Sequence, residues 1–185
     1  MRAILILALS LLLAAYSTVG INSGPGGPGL DAVRDDVGSL LVVLDLPRGL
    51  GPSPTTGQLF TYDVANGGPN EHLRLTLVPA DGDSFGNLPP PGEGRAYYLF
   101  AVADKDKPAI QAAQLAAQQR GVAGSNVTLG IVPKLCTAGQ VDQTTLTVSA
   151  FALIPGRTRL MTFLDNQPLS VLAQQPGSTQ MPYCA

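Results

Sequence analysis

Few side chains in this chain are of a type that does chemistry, and their spacing limits what they can do. His72 is the only histidine, so any Ser-His-Asp or Cys-His nucleophile has to work through it. It follows a Gly/Pro loop and opens an alternating run, where a surface imidazole is the ordinary outcome. No Gly-x-Ser-x-Gly elbow accompanies it. Hydrolysis through His72 is therefore the weakest functional reading, and zinc on one His and two distant Cys is no better. Asp81-Gly82-Asp83-Ser84-Phe85-Gly86 matches an acidic calcium loop only in part. The twelfth position, which should be acidic, is Gly92, and Glu93 comes one place late. Asp and Gly are also what turns require. Glu71 and Glu93 are the only glutamates, and no spacing supports a carboxylate pair for glycoside chemistry. The Gly-rich runs at 24–29 and 49–57 do not follow a strand in the way a phosphate-cradling loop requires, and no Lys-Ser/Thr closes them. Asn126-Val127-Thr128 matches the N-glycosylation pattern, but it falls inside a predicted strand. No catalytic, cofactor-binding or metal-binding residue is assigned, and no enzyme is expected.

Cys136 and Cys184 are the only cysteines. They have no CxxC spacing, and in an exported chain one such pair reads as one disulfide. It would close a loop of roughly fifty residues, worth about 4 kcal/mol by loop entropy.

The elements that position these groups are clearest over residues 95–133. Residues 97–103, Tyr-Tyr-Leu-Phe-Ala-Val-Ala, read as a strand. An Asp/Lys/Pro segment follows, with an Asp to cap a helix start and Pro108 in its first turn. Residues 109–120 are good helix formers and Gly121 is the stop. Residues 126–132 read as the next strand, ended by Pro133. On the helix, Gln111, Gln114 and Gln118 form a polar stripe, opposite an arc of Ala109, Ile110, Ala112, Ala113, Ala116 and Ala117. Solvation of that stripe outweighs contact with a partner. Further strands are predicted at 39–46, 58–64, 73–77 and 144–154, with a hairpin into 157–164. A turn is expected at Asp165-Asn166-Gln167-Pro168. The loop at 79–94 is long and rich in Gly, Pro and Asp, as functional or mobile loops often are.

Arg2, an apolar run over 3–15 and small residues at 17 and 20 match a secretory signal peptide. The domains expected are residues 1–20 as signal peptide, cleaved after about 17–20, then 21–37 as a flexible Gly/Pro-rich lead-in. Residues 38–185 form a single β-rich domain. Charged residues are 13% of the chain, while Gly (21) and Pro (16) are abundant, which favours many turns and short strands. With 11 Lys and Arg scattered and a net charge of −2, there is no footprint for nucleic acid. No stable membrane span is expected after signal cleavage.

Seven or so short strands with Pro/Gly turns favour an antiparallel β-sandwich of Ig-like architecture with one inserted helix near 107–120. The alternative is an α+β single sheet with one packed helix. Leu59, Phe60, Tyr62, Tyr97, Tyr98 and Phe100 are core candidates first and walls of an apolar pocket second. The functional expectation is an exported, periplasmic or extracellular, non-enzymatic domain acting through contacts with another envelope or extracellular protein. The candidate contacts are the 79–94 loop and, after it, the Gln face. Binding of a small apolar ligand is the alternative.

Overall fold

Alternation of apolar and polar residues makes strands with one buried face, and residues 58–64 and 72–77 are built so. The computed structural model describes residues 19–22, 30–54, 57–85, 88–142, 145–154, 160–169 and 181–184. The apolar leader run and most of the Gly/Pro spacer lie outside the described residues. In chain order the elements are β1 (Val19–Asn22), β2 (Leu41–Pro47), β3 (Leu50–Pro52), β4 (Gln58–Val64), β5 (His72–Pro79) and β6 (Arg95–Val102). Helix α1 (Lys107–Gln119) follows, then β7 (Val127–Val132), β8 (Leu135–Thr137), β9 (Thr147–Leu153) and β10 (Met161–Pro168).

Eight strands form one sheet in the order β1-β7-β4-β5-β6-β2-β9-β10, every pair antiparallel. The sheet curls until β1 lies alongside β10 with no ladder joining them, so it is nearly closed into a barrel. A two-stranded sheet, β3 with β8, sits beside it. The expected sandwich of two facing sheets is thus replaced by a single curled sheet with one packed helix. The physical reason is that alternation marks which face of a strand is buried. It does not say whether the facing side chains come from a second sheet or from the far wall of the same one. Here β2 is paired on both sides, by β6 and β9, which makes the ladder continuous instead of splitting it.

The barrel interior is filled by side chains, as an eight-stranded barrel allows. Val42, Leu44, Leu46, Phe60, Tyr62, Leu75, Leu77, Phe100, Leu129, Ile131, Val148 and Ala150 are all buried in one cluster. Phe60 meets Phe163 edge to face with ring centroids 6.4 Å apart, a favoured aromatic geometry. The core reaches back past Gly38, because Ala32, Val33 and Val37 belong to the same cluster.

Helix α1 occupies the predicted position near 107–120, with Pro108 in its first turn, and follows a 3-10 turn over Asp104–Asp106. Neither Asp caps it through its side chain. Asp106 instead accepts a hydrogen bond from the Thr76 N–H at 2.7 Å, and Asp104 pairs with Lys107 at 2.6 Å. The stop is as expected: Gly121 takes φ +68°, its N–H donates to the Gln118 carbonyl and the Val122 N–H to the Ala117 carbonyl. That pair of bonds is the Schellman closure, which favours glycine at this position.

The turn predicted at 165–168 is instead part of β10. The strand continues through two register shifts against β9, with Asn166 at φ +46° and its N–H donating to Ser149 Oγ at 3.0 Å. Bulges absorb the turn-like residues without ending the strand.

Candidate functional site

A barrel strand needs an apolar inner face; nothing in the fold demands an apolar outer one. On β2, β6 and β9 both faces are apolar. Leu41, Val43 and Leu153 form a second buried cluster, with Tyr97, Leu99, Ala101, Phe151 and Leu160 half-buried around them. The register explains the grouping: Val43 lies between Leu99 on β6 and Phe151 on β9, so all three side chains project outward together. Val43 is 0% exposed, covered by its larger neighbours.

The 79–94 loop borders this face. Ala80 and Leu88 pack against the cluster, the Ala80 N–H donates to the Leu99 carbonyl at 2.9 Å, and Gly82 lies against the Leu99 side chain. The loop is therefore anchored to the barrel wall along its first residues. Its charged residues are Asp81, Asp83 and Glu93, all exposed, with no Lys or Arg between positions 79 and 94. At the other end of the face, Arg95 bridges three strands. Its guanidinium donates to Asp45 Oδ1 at 2.8 Å, to the Asp45 carbonyl at 2.7 Å and to the Thr147 carbonyl at 3.3 Å. Burial and the Asp45 charge, opposed by Arg95, hold the neighbouring Tyr97 phenol above its ordinary pKa. The result is an apolar face with an acidic margin and one neutralised end.

The barrel mouth at the β4–β5 turn is polar. Glu71 is buried; its carboxylate accepts from the Gly68 N–H at 2.7 Å and from Arg120 at 2.6 Å, and the Gly68 bond first, with Arg120, lowers its pKa. Gly67 is required here, since a Cβ at that position would stand 2.9 Å from the Val64 carbonyl oxygen. Tyr62 is 0% exposed, its hydroxyl has no hydrogen-bond partner, and burial, then the Glu71 and Asp31 charges, push its pKa up to about 12.

The Gln stripe is only in part a solvated face: Gln111 and Gln118 are exposed, and Gln114 is not. Gln114 is buried and donates to the Ala32 carbonyl at 3.0 Å and the Asp35 carbonyl at 2.6 Å, while Gln118 donates to the Val33 carbonyl at 2.6 Å. The segment leading into Val37 has no ladder to satisfy those carbonyls, and the two amides do so. The buried stripe of the helix is Ile110, Ala113, Gln114 and Ala117, whereas Ala109 and Ala112 of the predicted apolar arc are exposed.

The remaining candidates are scattered. His72 sits exposed at the start of β5 with Nδ1 3.4 Å from Asp63 Oδ1, on the hairpin and away from the outer apolar face. Asp81 precedes a 3-10 turn (Gly82–Phe85) and Asp83 lies within it. Among the described residues, no three His, Cys, Asp or Glu side chains are grouped to hold a metal ion. Asn126 ends a 3-10 turn just before β7 and is exposed. Of the six aromatic-strand residues, Phe60, Tyr62, Tyr98 and Phe100 belong to the interior, Tyr97 to the outer cluster, and Leu59 to the outward register. Sequence reasoning missed Gln58, whose amide donates to the Lys134 carbonyl at 2.8 Å and accepts from the Lys134 N–H at 2.7 Å. It extends the β4–β7 ladder past Pro133, which has no N–H to give.

Cys136 and Cys184 are joined, with Cα atoms 5.0 Å apart. The bond fastens the C-terminal tail to β8, where the Thr137 N–H donates to the Pro182 carbonyl and the Cys184 N–H to the Thr137 carbonyl, both at 2.8 Å. A disulfide is consistent with an oxidising compartment. No helix among the described residues is long and apolar enough to cross a membrane. No protein-family model matches the chain, and no curated protein or solved structure matches it either.

Proposed function

We propose that this chain is an exported, non-enzymatic contact domain, and that it binds a partner protein through the outer face of β2, β6 and β9. One observation carries the reading: the apolar cluster on the outside of an already filled barrel. The chain's own Ala80, Leu88 and Leu160 cover this cluster only in part, leaving Tyr97, Leu99 and Phe151 half-buried, and apolar surface completed by a partner is what an interaction site offers. The acidic margin selects the partner's chemistry: an apolar patch edged by Lys or Arg. This assigns the 79–94 loop to the border of the contact surface and takes the Gln face out of it.

The test is native mass spectrometry of the protein exported by its host, comparing the natural chain with Leu99→Asp. The expected result is a complex with one other polypeptide that Leu99→Asp abolishes while the melting midpoint stays within the equivalent of about 1 kcal/mol. A complex that survives Leu99→Asp contradicts the reading.

A further inference from the structure

We infer that Pro89-Pro90-Pro91 is a recognition ridge, and that the partner receives it in a groove of aromatic side chains edged by Lys or Arg. The inference rests on the contact reading of the outer face and names the partner's binding groove.

Residue type dictates the backbone of the ridge. Proline fixes φ at about −65°, and a residue that precedes proline is held out of the helical region. Leu88, Pro89 and Pro90 each precede a proline, and the peptide bonds among the described residues are trans. The run is therefore one turn of polyproline II, with three residues per turn and about 3.1 Å of rise per residue. Leu88 is seated on the outer apolar cluster. At three residues per turn the next two positions point elsewhere, and Pro89 and Pro90 are exposed, as is Pro91. Both ends of the ridge are fixed. Leu88 holds the first. At the second, the Gly92 carbonyl accepts from the Arg95 N–H at 3.1 Å and the Gly94 carbonyl from the Arg48 N–H at 2.8 Å. Gly94 takes φ +70° at the third position of that turn, where glycine is favoured. A ridge held in this way loses little freedom when a partner covers it.

The chemistry of the ridge selects its groove. Its rings are apolar, it has no N–H to give, and the carbonyls of Pro89, Pro90 and Pro91 accept no hydrogen bond from the described residues. A groove lined by Trp and Tyr answers both properties: ring faces pack against the prolines, and an indole N–H or phenol O–H donates to a carbonyl. An aliphatic groove would leave those carbonyls covered and without donors. The charge beside the ridge sets the rim. Glu93 is exposed two residues past Pro91, and no Lys or Arg lies between positions 79 and 94, so a cation at the groove's edge is complementary. Leu88 and Leu99 belong to the same outer cluster, which places the ridge where one partner covers it together with the apolar face.

The test is competition on the complex formed by the full chain made by its host, read by native mass spectrometry. Octaproline is the probe and a Gly-Ser octapeptide the control. Octaproline at millimolar concentration is expected to dissociate the complex while the control does not. Replacing both Pro89→Ala and Pro90→Ala should weaken partner binding about tenfold with the melting midpoint unchanged. A complex that Leu99→Asp abolishes, but that octaproline and the double variant leave intact, overturns the inference and leaves the contact face standing. Equal dissociation by both peptides overturns it too. A complex that octaproline dissociates and Leu99→Asp does not supports the ridge and contradicts the contact face, so the two fail separately.

Discussion

The inner and outer faces of β2, β6 and β9 are built from the same residue types and obey different requirements. Inside, Val42, Leu44, Phe100 and Ala150 are fixed by the fold, because a barrel of this size has to be filled to stand. Outside, Val43, Leu99 and Phe151 are equally apolar, yet the barrel would close as well over polar residues. Apolar surface that folding does not require has to be explained by something beyond folding. On the reading proposed here, that contrast is what points to a contact face in a chain whose titratable groups are scattered.

The largest effect expected from breaking the contrast is on the inner face. Phe60→Ala should lower the unfolding free energy by about 3–5 kcal/mol, whereas Phe151→Ser on the outer face should cost about 1 kcal/mol or less. Chemical denaturation of the two variants checks this, and equal losses would erase the distinction between the faces.

The seal at the end of the interior comes next. Gln114→Ala leaves the Ala32 and Asp35 carbonyls without their donor, at a cost of about 1–3 kcal/mol, and should speed amide exchange between Ala32 and Val37 before the barrel strands respond. Uniform exchange across the chain would show that the lead-in is not a separately held piece.

Tyr62→Phe is expected to act in the opposite direction. Removing a buried hydroxyl that has no partner should raise stability by about 1 kcal/mol. The natural protein should also lose stability as pH rises above the ordinary phenol value of 10.0 towards about 12, because the unfolded phenol ionises first. The Phe variant should lack that component. A loss of stability in Tyr62→Phe at neutral pH would mean the hydroxyl is bonded after all.

The smallest effect is at the acid end. Glu71 has a folded-state pKa below its ordinary 4.5, through the Gly68 N–H and Arg120. Its stabilisation is therefore complete above about pH 4.5 and is lost as the pH falls through the lowered value. A Glu71→Gln variant should show a flatter melting profile between neutral pH and the acid limit. Asp104, lowered by Lys107, contributes with the same sign in both proteins and does not obscure the comparison.

These residues also show what the sequence could and could not convey. The strands at 58–64 and 73–77, the helix and its Gly121 stop were legible because each depends on local periodicity or on a backbone conformation that favours glycine. The choice of barrel over sandwich was not legible, since it depends on which distant strand pairs with β2. The outer cluster was half legible. Residues 40–44 form a continuous apolar run, the pattern of a strand covered on both faces, but Phe151 and Leu99 become its neighbours only through register. A glutamine looks polar in any periodicity plot, so the sequence groups Gln114 with the exposed Gln111 and Gln118, whereas Gln114 is buried by what its amide satisfies. The Asp45–Arg95 pair left no signal at all at a separation of 50 residues.

The proposed contact face is tested most directly by placing a photo-crosslinking residue at position 99 in the protein made by its host, with position 115 as control. Leu115 is 55% exposed on the helix and lies off the face. The account predicts a light-dependent adduct with a single polypeptide from position 99, none from position 115, and loss of the adduct when Asp81, Asp83 and Glu93 are replaced by Lys. No adduct from position 99, or the same adducts from both positions, would contradict it.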